Sequence, residues 1–423
     1  MKGFEVLAEV LSTSADRCYA IPGYPVTELS AKTRAETVVA EKVALEYALG
    51  DSLMGRRAAV IMKNVGLNAC ADPLVQATTQ GLIGGVVIVA GDDPLAEAST
   101  SALDSRYYGE LAQVPVLEPG PEVCARSVEA AFSASEEFSR IALLRLTPRL
   151  IFGEAVTEKV SRNPGAGRLA DPGLTMKGRV DRADSRLPGM FDWSAQSRLN
   201  RFQGGVAGVG ASDGYSRIVT VFPPPPALAS FKRIEEIGRP FVSEHRGVLP
   251  PAANPFPQTS AGRGFYKTFC RNCPFLAVYD ILKRKGLPAI ADAGCSILAM
   301  NPPYRVALAN YGLGSAIGVA ARSTRVALIG DYALLHSGIQ SLVDVYEKGL
   351  PLLSIVLENR CMGMTGGQVS PSTCSYIGWA NPRVVRASDT ELLEELIFVP
   401  ERPVTLIVQG TCPEGRHHET VEC

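Results

Sequence analysis

Between Arg325 and Asn359 the chain spells out one complete β-α-β unit. RVALIG reads as a short buried strand that ends at Asp331, and LPLLSIVL as a second that ends at Asn359. Between them Ile339, Leu342, Val343 and Tyr346 recur at helical spacing, with Ser337 where a cap is expected and Gly349 where a helix stops. Strands this short and apolar, joined by a helix, belong to a parallel sheet with both faces covered. A right-handed crossover brings both strand ends to one edge, where α/β folds place ligands. An Asp and an Asn there offer hard oxygen ligands suited to Mg²⁺ and a diphosphate. The plainer reading is that one caps a turn and the other a loop.

The same texture marks both ends of the chain. Candidate strands occupy 58–63, 84–91 and 140–146, an amphipathic stretch covers 41–55, and RPVTLIVQG (402–410) is a final strand. ALANYGLGSAIGVAAR reads as a closely packed Gly/Ala-rich helix. Between 151 and 262, runs such as VFPPPPALA and GVLPPAANPFPQTSAGRG have linker composition, with two strands and a helix legible around GYSRIVTVFPPPPALASFKRIEEIGRPFVSEHRG. The fold class expected is α/β: two doubly wound parallel-sheet domains, 1–155 and 263–423, joined by a shortened irregular middle region, 156–262. No internal repeat is evident.

Composition narrows the function classes. The 42 basic and 43 acidic residues leave no field to hold nucleic acid or an anionic membrane surface. No stretch reaches the roughly 20 apolar residues of a membrane helix, and MKGFEVLAEV lacks a signal core, so a cytoplasmic location is expected. The ten cysteines are then expected to be reduced.

Four of those cysteines are arranged for chemistry. Cys270 and Cys273 form C-x-x-C, Cys295 follows a strand in DAGCSI, and Cys412 closes QGTCPEG. Four thiolates brought together suit Zn²⁺ or a [4Fe–4S] cluster, and the spacing does not choose between them. Cys18, Cys70, Cys124, Cys361, Cys374 and Cys423 have no such grouping and read as buried or incidental.

The Gly-Asp to Asn arrangement resembles the thiamine diphosphate motif. HSGIQSL, ENR and MTGGQVSPST in the C-terminal region resemble the 2-oxoacid:ferredoxin oxidoreductases, and so do AEKVALEYALG, MKNVGLNACADPL, VAGDDP and LDSRYYGELAQVPVLEP in the N-terminal one. The likeness is greatest to the alpha subunit of indolepyruvate ferredoxin oxidoreductase. It implies a pyrimidine-binding domain at 1–155 and a diphosphate- and Mg²⁺-binding domain at 263–423. Asp331, Asn359 and the Cys361 carbonyl would hold Mg²⁺, with Gly330, Tyr332, Met364 and Thr365 bordering the diphosphate. Glu41, opening a helix where its charge also suits the macrodipole, would present the carboxylic acid that the aminopyrimidine needs, with Glu46 as fallback. CxxCP, GC after a strand and a late CP are similar to the cysteines of the family's [4Fe–4S] cluster, which assigns Cys270, Cys273, Cys295 and Cys412 to iron rather than zinc. The resemblance implies oxidative decarboxylation of a 2-oxoacid with coenzyme A as co-substrate, ferredoxin as acceptor, a separate gamma/beta-type subunit, and a homodimer or heterotetramer.

The sequence also departs from that family. It lacks the C-terminal ferredoxin-like domain, so electrons are expected to leave through another protein. Asn64 stands where the family usually has His, and Tyr332 where Gly or Ser is usual. His336 is a candidate for stabilising a developing oxyanion or for capping the helix; His245, His417 and His418 read as solvated. Arg106 reads either as a carboxylate grip or as half of a structural salt bridge. Two other functions are compatible with the sequence. One is a non-oxidative decarboxylase of the sulfopyruvate or phosphonopyruvate type; the other is a non-catalytic homologue acting as scaffold or electron conduit.

Overall fold

Short apolar runs build two parallel sheets, one in each of two units: Met1–Ala170 with Val180–Pro257, and Asp171–Arg179 with Gln258–Cys423. The computed structural model describes residues 1–93, 96–100, 103–199, 219–221, 266–413 and 419–421. Most of the middle region, His245, His417, His418 and Cys423 lie outside them.

In the first unit the strands are β1 (Arg17–Ala20), β2 (Glu36–Thr37), β3 (Ala58–Lys63), β4 (Val86–Gly91), β5 (Pro115–Leu117), β6 (Ala142–Leu146) and β7 (Val219–Val221). They lie in the order β2-β1-β3-β4-β6-β5-β7, parallel except for β7, which runs antiparallel to β5. β4 is buried along its whole length, as expected of a strand covered on both faces. The helix Glu41–Leu53 is buried on nearly every side. Its weak amphipathicity therefore reflects enclosure rather than a surface position.

That unit also buries a charged knot. Arg145 of β6 reaches Asp92, and its Nη1 lies 2.7 Å from Glu118. Arg106 donates from Nε to Asp104 at 2.8 Å, and Ser105 N to Asp92 at 3.0 Å. Arg106 is thus half of a structural salt bridge. Removing one partner from such a set strands the opposing charges in low dielectric, so Arg145→Ala should lower unfolding free energy by about 3–5 kcal/mol. Chemical denaturation checks this, and a loss below about 1 kcal/mol would contradict it.

In the second unit β8 (Tyr266–Lys267) pairs antiparallel with β14 (Thr420–Val421). The main sheet runs β12-β13-β11-β10-β9, from β9 (Ile290–Ala291), β10 (Val326–Gly330), β11 (Leu353–Glu358), β12 (Arg383–Arg386) and β13 (Val404–Gln409), all parallel. Gly330 is in register with Leu357, so Asp331 and Asn359 emerge from adjacent strands at one edge. Cys295 follows β9 on one side and Cys412 follows β13 on the other. Four strand ends therefore bring the sequence-distant residues together.

Two expectations are corrected here. The helix after β10 begins at Asp331 itself, passes through a π-helical turn at Leu334–Gly338, and continues as Ile339–Glu347. Ser337 therefore caps nothing; its hydroxyl donates to the Leu313 carbonyl at 2.6 Å. In ALANYGLGSAIGVAAR only Ala316–Ala321 is helical, because Gly312 (φ 111°) and Gly314 (φ 77°) take left-handed conformations.

Candidate active site

At the edge of the second sheet, three strands end in buried carboxylates: Asp292 after β9, Asp331 after β10 and Glu358 closing β11. Asp292 accepts from Gly314 N (2.8 Å) and Ala316 N (3.0 Å), fixing the glycine turn and starting the short helix behind it. Glu358 accepts from Thr373 N (2.8 Å) and Oγ1 (2.6 Å) and from Gln409 Nε2 (2.7 Å). It thereby closes the loop after β11 and holds it against β13. Neither residue was singled out from sequence. The signal that could have found them is an acid at the end of each apolar run, in AIAD, LIGD and VLE.

Asp331 is 3% exposed, with Oδ1 accepting from Tyr332 N and Oδ2 from Arg360 N, both at 2.7 Å. Arg360 makes the second bond from a left-handed backbone, φ 56°. Asn359 accepts at Oδ1 from Cys361 N (3.1 Å) and donates from Nδ2 to Cys412 Sγ (3.0 Å). The following MTGGQ turn depends on glycine, since Gly366 and Gly367 have φ of 115° and 85°.

A cavity of about 410 Å³ opens at this edge. Gly330, Asp331, Tyr332, Asn359, Met364 and Thr365 all line it, and a Cβ on Gly330 would meet nothing within 4 Å. The Asp331 and Asn359 oxygens at the edge of this otherwise apolar cavity fit a metal-bound diphosphate. Tyr332 lies at a tilt to His336, with ring centroids 5.7 Å apart and planes 42° apart, while His336 is exposed and does not line the cavity. The helix runs straight through His336, which excludes its capping role.

Among the described residues, no three His, Cys, Asp or Glu side chains are drawn together tightly enough to hold a single ion. The four thiols are neighbours all the same. Burial first, then Cys273, Cys412, Cys270 and Cys361, push the Cys295 thiol up to about 12. Burial, Cys412 and Cys270 push Cys273 up to about 11. Cys273 and Cys295 line the same cavity as Asp331 and Asn359. Cys361, which the sequence grouped with the incidental cysteines, joins this neighbourhood.

In the first unit, Glu41 is half-buried at the start of its helix, and a Cβ on Gly66 would come within 2.8 Å of its Oε1. Glycine at 66 is what admits the carboxyl. Glu46 is buried in an ion pair with Lys42, which commits it to structure. Asn64 is buried, donating from Nδ2 to the Leu103 carbonyl at 3.3 Å.

Residues 292–383 match the thiamine pyrophosphate enzyme C-terminal TPP binding domain. That stretch is similar to the TPP binding domain of thiamine pyrophosphate enzymes. The chain is similar to indolepyruvate oxidoreductase subunit IorA of Methanothermobacter thermautotrophicus, 28% identical over 85% of this chain and 74% of that protein. The Archaeoglobus fulgidus subunit IorA is 26% identical over 92% and 76%. Among solved structures, the fold resembles Rhodococcus jostii thiamine diphosphate-dependent 4-hydroxybenzoylformate decarboxylase (TM-score 0.58, 16% identity, 98% of this chain and 100% of that one). Benzoylformate decarboxylase from Polynucleobacter necessarius has TM-score 0.56 at 13% identity, covering 97% and 99%. The two parallel sheets are those of a thiamine pyrophosphate fold. Among the described residues no helix is long and apolar enough to cross a membrane.

Proposed function

We propose that this chain is the catalytic subunit of a thiamine diphosphate-dependent 2-oxoacid oxidoreductase. The reaction takes a 2-oxoacid anion, coenzyme A and two oxidised ferredoxins to an acyl-CoA, CO₂, a proton and two reduced ferredoxins. The observation that carries the proposal is the gathering of Cys270, Cys273, Cys295 and Cys412 at the same sheet edge as Asp331 and Asn359. A decarboxylase that only protonates its intermediate has no use for four thiols there. Bound thiamine diphosphate supplies an electron sink for decarboxylation, and a [4Fe–4S] cluster accepts electrons singly.

The chain's own residues divide the remaining work. Asp331, Asn359 and the Cys361 carbonyl hold Mg²⁺, and the glycine turn with Thr365 seats the diphosphate. Glu41 holds a proton at the aminopyrimidine. Phe275, Tyr279, Leu313 and Leu357 give the cavity an apolar wall, which favours an arylpyruvate, as do the names of the indolepyruvate relatives. A gamma-type partner subunit and ferredoxin complete the electron path in a homodimer or heterotetramer.

The test is turnover of an arylpyruvate by the complex purified without oxygen, with thiamine diphosphate, Mg²⁺, coenzyme A and a viologen acceptor. CO₂ release should require the acceptor, and Glu41→Gln should slow it by about 10²–10⁴-fold. Acceptor-independent release of CO₂ and aldehyde would overturn the proposal in favour of a non-oxidative decarboxylase.

A further inference from the structure

We infer that Asn359 is a positioning residue that ties the two halves of the site together, its carbonyl oxygen serving the metal-diphosphate side and its amide N–H the cluster side. This rests on the oxidoreductase reading above. The observation is the bond from Asn359 Nδ2 to Cys412 Sγ at 3.0 Å. Gly363 packs beside both groups, since a Cβ there would stand 3.6 Å from Cys295 Sγ and 3.9 Å from Asn359 Nδ2. One side chain thus lines the cavity and hydrogen-bonds one of the four thiols.

The physical consequence has a sign. An N–H donor to a thiolate sulfur stabilises the more negative, reduced state of an iron–sulfur centre and raises its potential. Asn359 Oδ1 already accepts from Cys361 N and keeps a second lone pair. A cation drawing on that oxygen polarises the amide and strengthens the N–H donor at its other end. Occupancy of the diphosphate site therefore makes the cluster a better electron acceptor, which links binding to redox readiness through one side chain.

The test is a redox titration of the full chain purified without oxygen, in which dithionite delivers one electron per cluster, followed by EPR. Asn359→Leu keeps volume and charge but removes the donor. At unchanged iron content its midpoint should fall by about tenfold in the reduction equilibrium, about 59 mV for a one-electron couple. The wild-type midpoint should rise when Mg²⁺ and thiamine diphosphate are added, and the variant's should not. An unchanged midpoint in the iron-loaded variant overturns the inference and leaves the oxidoreductase reading standing. Wild-type chain that holds no iron overturns that reading, and the inference with it. If Asn359→Leu fails to retain iron, the wild-type titration decides alone, with no rise on adding Mg²⁺ and thiamine diphosphate counting against the inference.

Discussion

Asp331→Ala is expected to abolish binding of thiamine diphosphate with Mg²⁺ while leaving a folded chain. The loss should exceed the 10–100-fold typical of removing a residue that only supports a metal ligand, because this carboxylate is the hard anionic oxygen at the cavity floor. Two backbone N–H groups lose their acceptor in the variant, at about 1–3 kcal/mol each. Asp331→Asn, which keeps an acceptor and the side-chain volume, separates that cost from the loss of charge. Burial, and to a smaller degree Glu358, hold the Asp331 carboxyl above its ordinary range against the backbone donors. Metal and proton then compete for one site, so affinity for Mg²⁺ should weaken as pH falls towards that raised value. Calorimetric titration checks both effects. Binding by Asp331→Ala at wild-type affinity would remove this edge of the sheet from consideration as the cofactor site.

The parts of this site that were legible in sequence are those written by local pattern. Strand ends at Asp331 and Asn359 follow from apolar runs with a helix between them, and the crossover rule puts them on one edge. Cys295 and Cys412 could be paired with Cys270 and Cys273 only through resemblance, since nothing local states that β9 and β13 flank β10 and β11. Asp292 and Glu358 escaped for a related reason. Their partners are main-chain groups at Gly314, Ala316 and Thr373, and backbone donors leave no trace in residue identity. The helix start misread at Ser337 has a comparable cause. A π-helical turn has no distinctive composition, and here it is held by tertiary contact with Leu313 and Gly314.

The second large effect is expected at Cys295. The thiols of Cys295 and Cys273 are pushed up to about 12 and about 11, chiefly by burial and then by neighbouring thiols, Cys412 and Cys270 in both cases. As free thiols they would be protonated at neutral pH, poor nucleophiles, and crowded for no gain in packing. Metal binding reverses that balance, because a cluster takes thiolates and its cations offset the charge that burial opposes. Wild-type chain purified without oxygen should therefore carry about four iron and four acid-labile sulfide, and Cys295→Ala should fall well below that. The variant should lose acceptor-dependent turnover altogether yet keep thiamine diphosphate affinity within a few-fold, since it leaves Asp331, Asn359 and the glycine turn of the cavity unchanged. Full turnover in Cys295→Ala would show that the thiols serve neither cluster nor catalysis, and the chemistry would then have to end in protonation rather than electron transfer.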